Sequence, residues 1–96
     1  MYRLAIKSRA IAASREAYEW YEGQKVGLGE RFLEVLTSVL RKIELQPELY
    51  SKVKKSYRQA KLYRFPYVVI YEIIGDKVVV FMIFHTSRKP SSRFRE

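Results

Sequence analysis

Residues Tyr67 to His85 read YVVIYEIIGDKVVVFMIFH, and no other stretch narrows the possible folds as much. Two β-branched and aromatic runs flank Gly75-Asp76, the signature of a two-residue hairpin turn with Gly in the first central position. Counting outward from the turn pairs Ile74 with Lys77, Ile73 with Val78, Tyr71 with Val80, Val69 with Met82 and Tyr67 with Phe84. Side chains alternate across a strand. One face is therefore expected to carry Tyr67, Val69, Tyr71, Ile73, Val78, Val80, Met82 and Phe84, with no charge. The other is mixed: Val68, Ile70, Glu72 and Ile74 beside Lys77, Val79, Phe81, Ile83 and His85. The charge-free face needs a cover, while the mixed face can stay partly exposed and is where function is to be sought.

The rest of the chain supplies that cover. Met1 to Lys7 alternates loosely and predicts a short first strand. Ser8 stands where an N-cap belongs, and helix formers run from Arg9 to about Gln24, with Ala10, Ala13, Ala17 and Trp20/Tyr21 on one stripe. Gly23, Gly27 and Gly29 punctuate its end. A second helix starts near Gly29 or Glu30, with Phe32, Val35, Leu36, Val39, Leu40 and Ile43 at helical spacing. Glu30 and Glu34 sit in its first turns and Arg41 and Lys42 near its last, as the helix dipole favours. Pro47 closes it. So short a link predicts an antiparallel helical hairpin, with Trp20, Tyr21 and Phe32 as core packing. Pro47 to Ser56 reads as a loop, Arg58 to Phe65 as a strand, and Phe65-Pro66 as a turn or edge. The expected fold is α+β: a two-helix hairpin on one face of a small, mostly antiparallel four-stranded sheet, in the order β-α-α-β-β-β. Residues 1–96 form one domain, with 91–96 a flexible basic tail.

Composition removes several classes of function. No apolar run approaches the roughly 20 residues of a membrane helix, and none near the N-terminus suits a signal peptide, so a cytoplasmic protein is expected. With 0 Cys and 1 His, no metal site and no cofactor are expected. The formal charge of +9 is unevenly spread. Residues 1–50 hold 8 Lys/Arg against 7 Asp/Glu, and residues 51–96 hold 11 against 3. Lys52 to Tyr67, KVKKSYRQAKLYRFPY, carries 6 basic groups, 4 aromatics and no acid. Basic charge clustered this way is the footprint of a nucleic acid or an acidic protein partner.

Several segments together resemble the RelE/ParE superfamily of bacterial type II toxins. They are WYEGQKVGLGERF (Trp20 to Phe32), the exit Pro47-Glu48-Leu49-Tyr50, RFPYVVIYEI (Arg64 to Ile73) and VVVFMIFHTSRKP (Val78 to Pro90). Their order and spacing carry the resemblance, which covers nearly the whole chain. It implies a plasmid-stabilisation toxin that inhibits growth until a cognate acidic antitoxin wraps it. ParE-like members poison DNA gyrase by binding, whereas RelE-like members cut messenger RNA on the ribosome.

The ribonuclease branch surrounds a scissile phosphate with basic groups that stabilise 2′-hydroxyl attack. The resemblance puts Lys61 at the branch's catalytic Lys position and Arg88 at its late Arg. Val68 falls where its early Arg belongs and Phe94 where its Tyr belongs, and neither can replace those groups. His85 is the lone histidine, able to act as acid, base or phosphate contact, and by strand parity it is expected to share a face with Val68, next to Arg88. It is either a compensating acid/base or phosphate contact or a hydrogen-bonded strand-end histidine. Tyr57 and Tyr63 are packing residues or base-stacking platforms. The reading is a ParE-like toxin that blocks DNA gyrase by binding, with Lys61, Arg64, His85, Arg88, Lys89 and Arg93 as target or antitoxin contacts. The alternatives are a divergent ribosome-dependent ribonuclease using Lys61, His85 and Arg88, and a basic nucleic-acid-binding module.

Overall fold

A computed structural model describes residues 1–87. Strand β1 (Arg3–Ile6) leads into helix α1 (Ser8–Gln24) and helix α2 (Leu28–Leu45), followed by a 3-10 turn at Pro47–Leu49. Strands β2 (Lys52–Lys54), β3 (Tyr57–Lys61), β4 (Tyr67–Ile74) and β5 (Lys77–His85) follow. The sheet has five strands in the order β1-β5-β4-β3-β2, with β1 parallel to β5 and the other neighbours antiparallel. The α+β class and the helical hairpin hold. The strand count does not, because part of the expected Pro47–Ser56 loop forms the 3-10 turn and β2. The β3 strand is also shorter than the expected Arg58–Phe65 run. Among the described residues, no helix is long and apolar enough to cross a membrane.

The helical hairpin closes through contacts that composition alone conceals. The Glu22 carboxylate accepts bonds from the Gly27 and Gly29 amides, both at 2.9 Å, so it satisfies donors left open at the start of α2. Gly27 sits at φ 89°, in the left-handed region that glycine enters without a Cβ penalty. A Cβ on Gly29 would come within 2.7 Å of the Tyr18 carbonyl oxygen, so the helices touch there only because that side chain is absent. At the other end of α1, the N-cap is Lys7, whose side chain makes no cap bond, and Ser8 is the first helical residue.

The core lies between the helices and one face of the sheet. Phe32, Ile43, Val69, Tyr71, Val78 and Val80 are fully buried there. The rings of Tyr21, Phe32, Phe65 and Tyr67 interlock with centroids 4.9–6.2 Å apart, mostly edge to face. Trp20 is an exception to the expected core, being 60% exposed. Adjacent helical positions point about 100° apart, and Tyr21 takes the inward place. Burial raises the Tyr71 phenol to about 12, and its hydroxyl donates to the Pro47 carbonyl at 2.6 Å.

The hairpin turn places Gly75 at φ 62°, as a glycine at the first central position allows. The expected register holds from Ile74/Lys77 to Tyr71/Val80 and then shifts: Ile70 faces Met82, Val69 faces Ile83, Val68 faces Phe84 and Tyr67 faces His85. Phe81 is the extra residue of a β-bulge, which reverses the parity of everything beyond it. Ile83 therefore packs among the helix-side residues, while Met82 and Phe84 join Val68 and Ile70 in a second apolar cluster.

Candidate functional site

The bulge separates residues that unbroken alternation would bring together. His85 lies opposite Tyr67 on the helix side of the sheet, and its ring meets the Tyr67 ring edge-on at 5.1 Å. The expectation that it shares a face with Val68 is thus corrected. It lines a cleft of about 420 Å³ with Ala17 and Trp20 of α1, where Glu16 is the acidic neighbour. The Ser87 amide donates to His85 Nδ1 at 3.1 Å, and the Ser87 hydroxyl lies 2.7 Å from the same nitrogen. In the neutral ring this leaves the proton on Nε2.

Lys61 lies at the other margin. It ends β3 and pairs with Val68, so the register assigns it to the sheet side away from His85. Val68 itself is fully buried with Ile70 and Phe84. The structure does not bring Lys61 and His85 together. Arg88, Lys89 and Arg93 lie outside the described residues, as do the 91–96 tail and Phe94.

Between β3 and β4 the loop is held from inside and displays polar groups outside. Leu62 and Phe65 are buried, the Leu62 amide donates to the Tyr67 carbonyl at 3.0 Å, and the Tyr67 amide donates to the Phe65 carbonyl at 2.7 Å. Tyr63 and Arg64 are forced outward between these anchors, Tyr63 with 69% exposure. Arg64 adopts φ 69°, a left-handed conformation costing a non-glycine residue about 1 kcal/mol or more. Its guanidinium carbon sits 5.2 Å from the Tyr63 ring centroid, a cation–π contact.

Not every basic residue of Lys52–Tyr67 is offered to a partner. Arg58 turns inward, and its Nη1 donates to the Tyr50 carbonyl at 2.5 Å and more weakly to that of Glu48 at 3.5 Å. It braces the 3-10 turn against the sheet. Tyr57 packs edge-on against Phe81 at 5.3 Å, so its ring is part of the second cluster and not a free platform. Conversely, Lys42 of α2 joins Lys61 and Tyr63 around a groove beside β3. By composition Lys42 is only a helix-end charge, but it lies three positions after Val39 and seven after Val35, on one helix face. Among the described residues, no group of three or more His, Asp or Glu is placed to hold a metal ion.

Residues 4–90 match the family described as the ParE toxin of type II toxin-antitoxin system, parDE. Among solved structures, "Chromosomal ParDE TA system from P. aeruginosa" aligns with a TM-score of 0.68 and 15% identity, covering 91% of this chain and 98% of that one. At that identity the likeness concerns the fold. No curated protein matches the chain at a significant level. The match runs from β1 through the helical hairpin and the bulged β4–β5 ribbon, and by it the chain belongs to the ParE toxin family of type II toxin–antitoxin systems.

Proposed function

We propose that this toxin acts in the cytoplasm by binding its target, DNA gyrase, without breaking a bond in it, and that a cognate acidic antitoxin neutralises it. The observation that carries this reading is the division of the candidate groups by the sheet. Acid–base cleavage of a phosphodiester needs donors and acceptors within hydrogen-bond reach of one scissile phosphate. Here Lys61 and His85 belong to opposite sides, and the position for an early phosphate-binding Arg is a fully buried valine. Binding needs no such convergence. Exposed cations at Lys52, Lys54, Lys55, Lys61 and Arg64 supply an electrostatic surface for an acidic macromolecule.

The test is a paired assay of the purified free protein. It should inhibit gyrase supercoiling and leave ribosome-bound messenger RNA uncut, and the opposite pattern rejects the reading. The reading frames beside the toxin gene should include one for a small acidic protein whose co-expression restores growth, as expected of a plasmid-stabilisation pair; a neighbour without that effect counts against the antitoxin part of the reading.

A further inference from the structure

The Phe81 bulge does more than move His85, because it builds the cleft that His85 lines. By reversing parity it brings Ile83 and His85 to the helix side, where α1 presents the methyl groups of Ala13 and Ala17, one turn apart. The space these small side chains leave is the cleft of about 420 Å³. That volume lies within the roughly 300–1,000 Å³ of small-ligand sites. Tyr21, Tyr67 and Ile83 are its buried lining.

Three side chains on this cleft keep binding capacity that folding does not use. Trp20 is 60% exposed, with its ring held edge-on against buried Tyr21 at 5.1 Å and 82°. A flat apolar ring fixed in this way is a stacking platform. Glu16 lies four residues earlier on the same face of α1, and among the described residues its carboxylate has no hydrogen-bond or ion-pair partner. The third is His85. The Ser87 amide can only donate, so Nδ1 accepts and the neutral ring carries its proton at Nε2. Among the described residues that N–H has no acceptor.

We propose that this cleft binds the base of a guanine mononucleotide. Guanine has two adjacent donors, N1–H and the N2 amino group, which one carboxylate accepts together. Beside them stands O6, an acceptor for His85 Nε2–H. The ring itself stacks on Trp20. Adenine and cytosine offer a carboxylate one amino group, and uracil one ring N–H between two carbonyls, so none of them meets Glu16 with a paired bond. Organic cations are the other class that aromatic clefts accept, but the chain's formal charge of +9 repels them and attracts phosphate. A longer nucleic acid needs a run of cations, and the exposed basic residues of β2, β3 and the following loop belong to the other margin of the sheet. The cleft is separate from that margin, so its assignment is independent of the gyrase reading.

The experiment is a fluorescence titration of the full chain, in which Trp20 is the one tryptophan and so reports on this cleft alone. Guanosine monophosphate should quench it saturably and move the amide resonances of Ala17 and His85, and adenosine monophosphate should bind at least tenfold more weakly. Glu16→Gln should weaken the guanine nucleotide at least tenfold at an unchanged thermal melt, because an amide has one acceptor oxygen where a carboxylate has two. Glu19→Gln, on α1 but outside the cleft, should bind like the parent, and His85→Ala should weaken binding at least threefold. Equal affinity for the two nucleotides would overturn the proposal, as would no saturation or an unaffected Glu16→Gln variant. Tighter binding of tetramethylammonium would overturn it in favour of an organic cation. Tighter binding of a pentaribonucleotide with one central guanine among uracils would overturn the mononucleotide assignment in favour of an RNA strand.

Discussion

The helix-covered side of the sheet and the margin beyond β3 are built on opposite terms. Under the helices, apolar side chains interlock, the Tyr71 hydroxyl has its acceptor and, among the described residues, no charged residue is buried. At the margin, Lys42, Lys61, Tyr63 and Arg64 are exposed around apolar walls, and a backbone edge faces outward. The first arrangement gains its free energy on folding, and the second leaves part of its interaction capacity for a partner. Stability and binding should therefore be separable by mutation.

The largest effect should come from Phe32→Ala, which empties the centre of the aromatic cluster. We expect a loss of about 3–5 kcal/mol, read as a lower urea midpoint at unchanged slope. A loss below about 1 kcal/mol would mean the cluster is not the keystone its packing indicates. Gly29→Ala tests the helix contact next. Its Cβ would meet the Tyr18 carbonyl oxygen at 2.7 Å, so the helices must separate, at a cost of about 1–3 kcal/mol.

Tyr71→Phe is smaller and pH-dependent. At neutral pH it removes the hydroxyl that bonds the Pro47 carbonyl, costing about 1 kcal/mol. In the parent, burial holds the phenol at about 12 against an ordinary 10.0. The fold thus favours the protonated form. That contribution is complete below pH 10 and is lost as pH rises toward 12. Thermal melts across this window should fall more steeply for the parent than for Tyr71→Phe, and parallel curves would dissociate the phenol from stability. At the margin, Lys61→Glu should change stability by no more than about 0.5 kcal/mol while weakening the complex with the acidic antitoxin at least tenfold. A large destabilisation there would erase the contrast between the two regions.

Much of this contrast was legible in the residues themselves. Phe32, Leu36, Val39 and Ile43 recur at helical spacing and are the buried stripe of α2. The turn at Gly75-Asp76 fixed the first pairs of the ribbon, since a two-residue loop leaves no freedom in the adjacent register. The site was less legible. Lys61 and Arg64 stood out by composition, but Lys42 came to them only through packing of α2 on β3. Arg58 looked equivalent to its neighbours until the 3-10 turn gave it two carbonyls. Period-2 counting puts His85 on the wrong side, because it has no means of sensing one extra residue. Phe81 is compatible with strand by every local measure, and only its cross-strand environment decides that it bulges.

By itself, the amino-acid order determined the two helices, the longer strands, the turn and the side of the ribbon that needed helices, because these depend on near-neighbour backbone geometry and hydrophobic period. Tertiary structure alone decided the bulge, the short β2, the turning inward of Arg58 and the exposure of Trp20. Each is settled by competition among distant side chains for one space or one acceptor, and local sequence does not encode who else is competing.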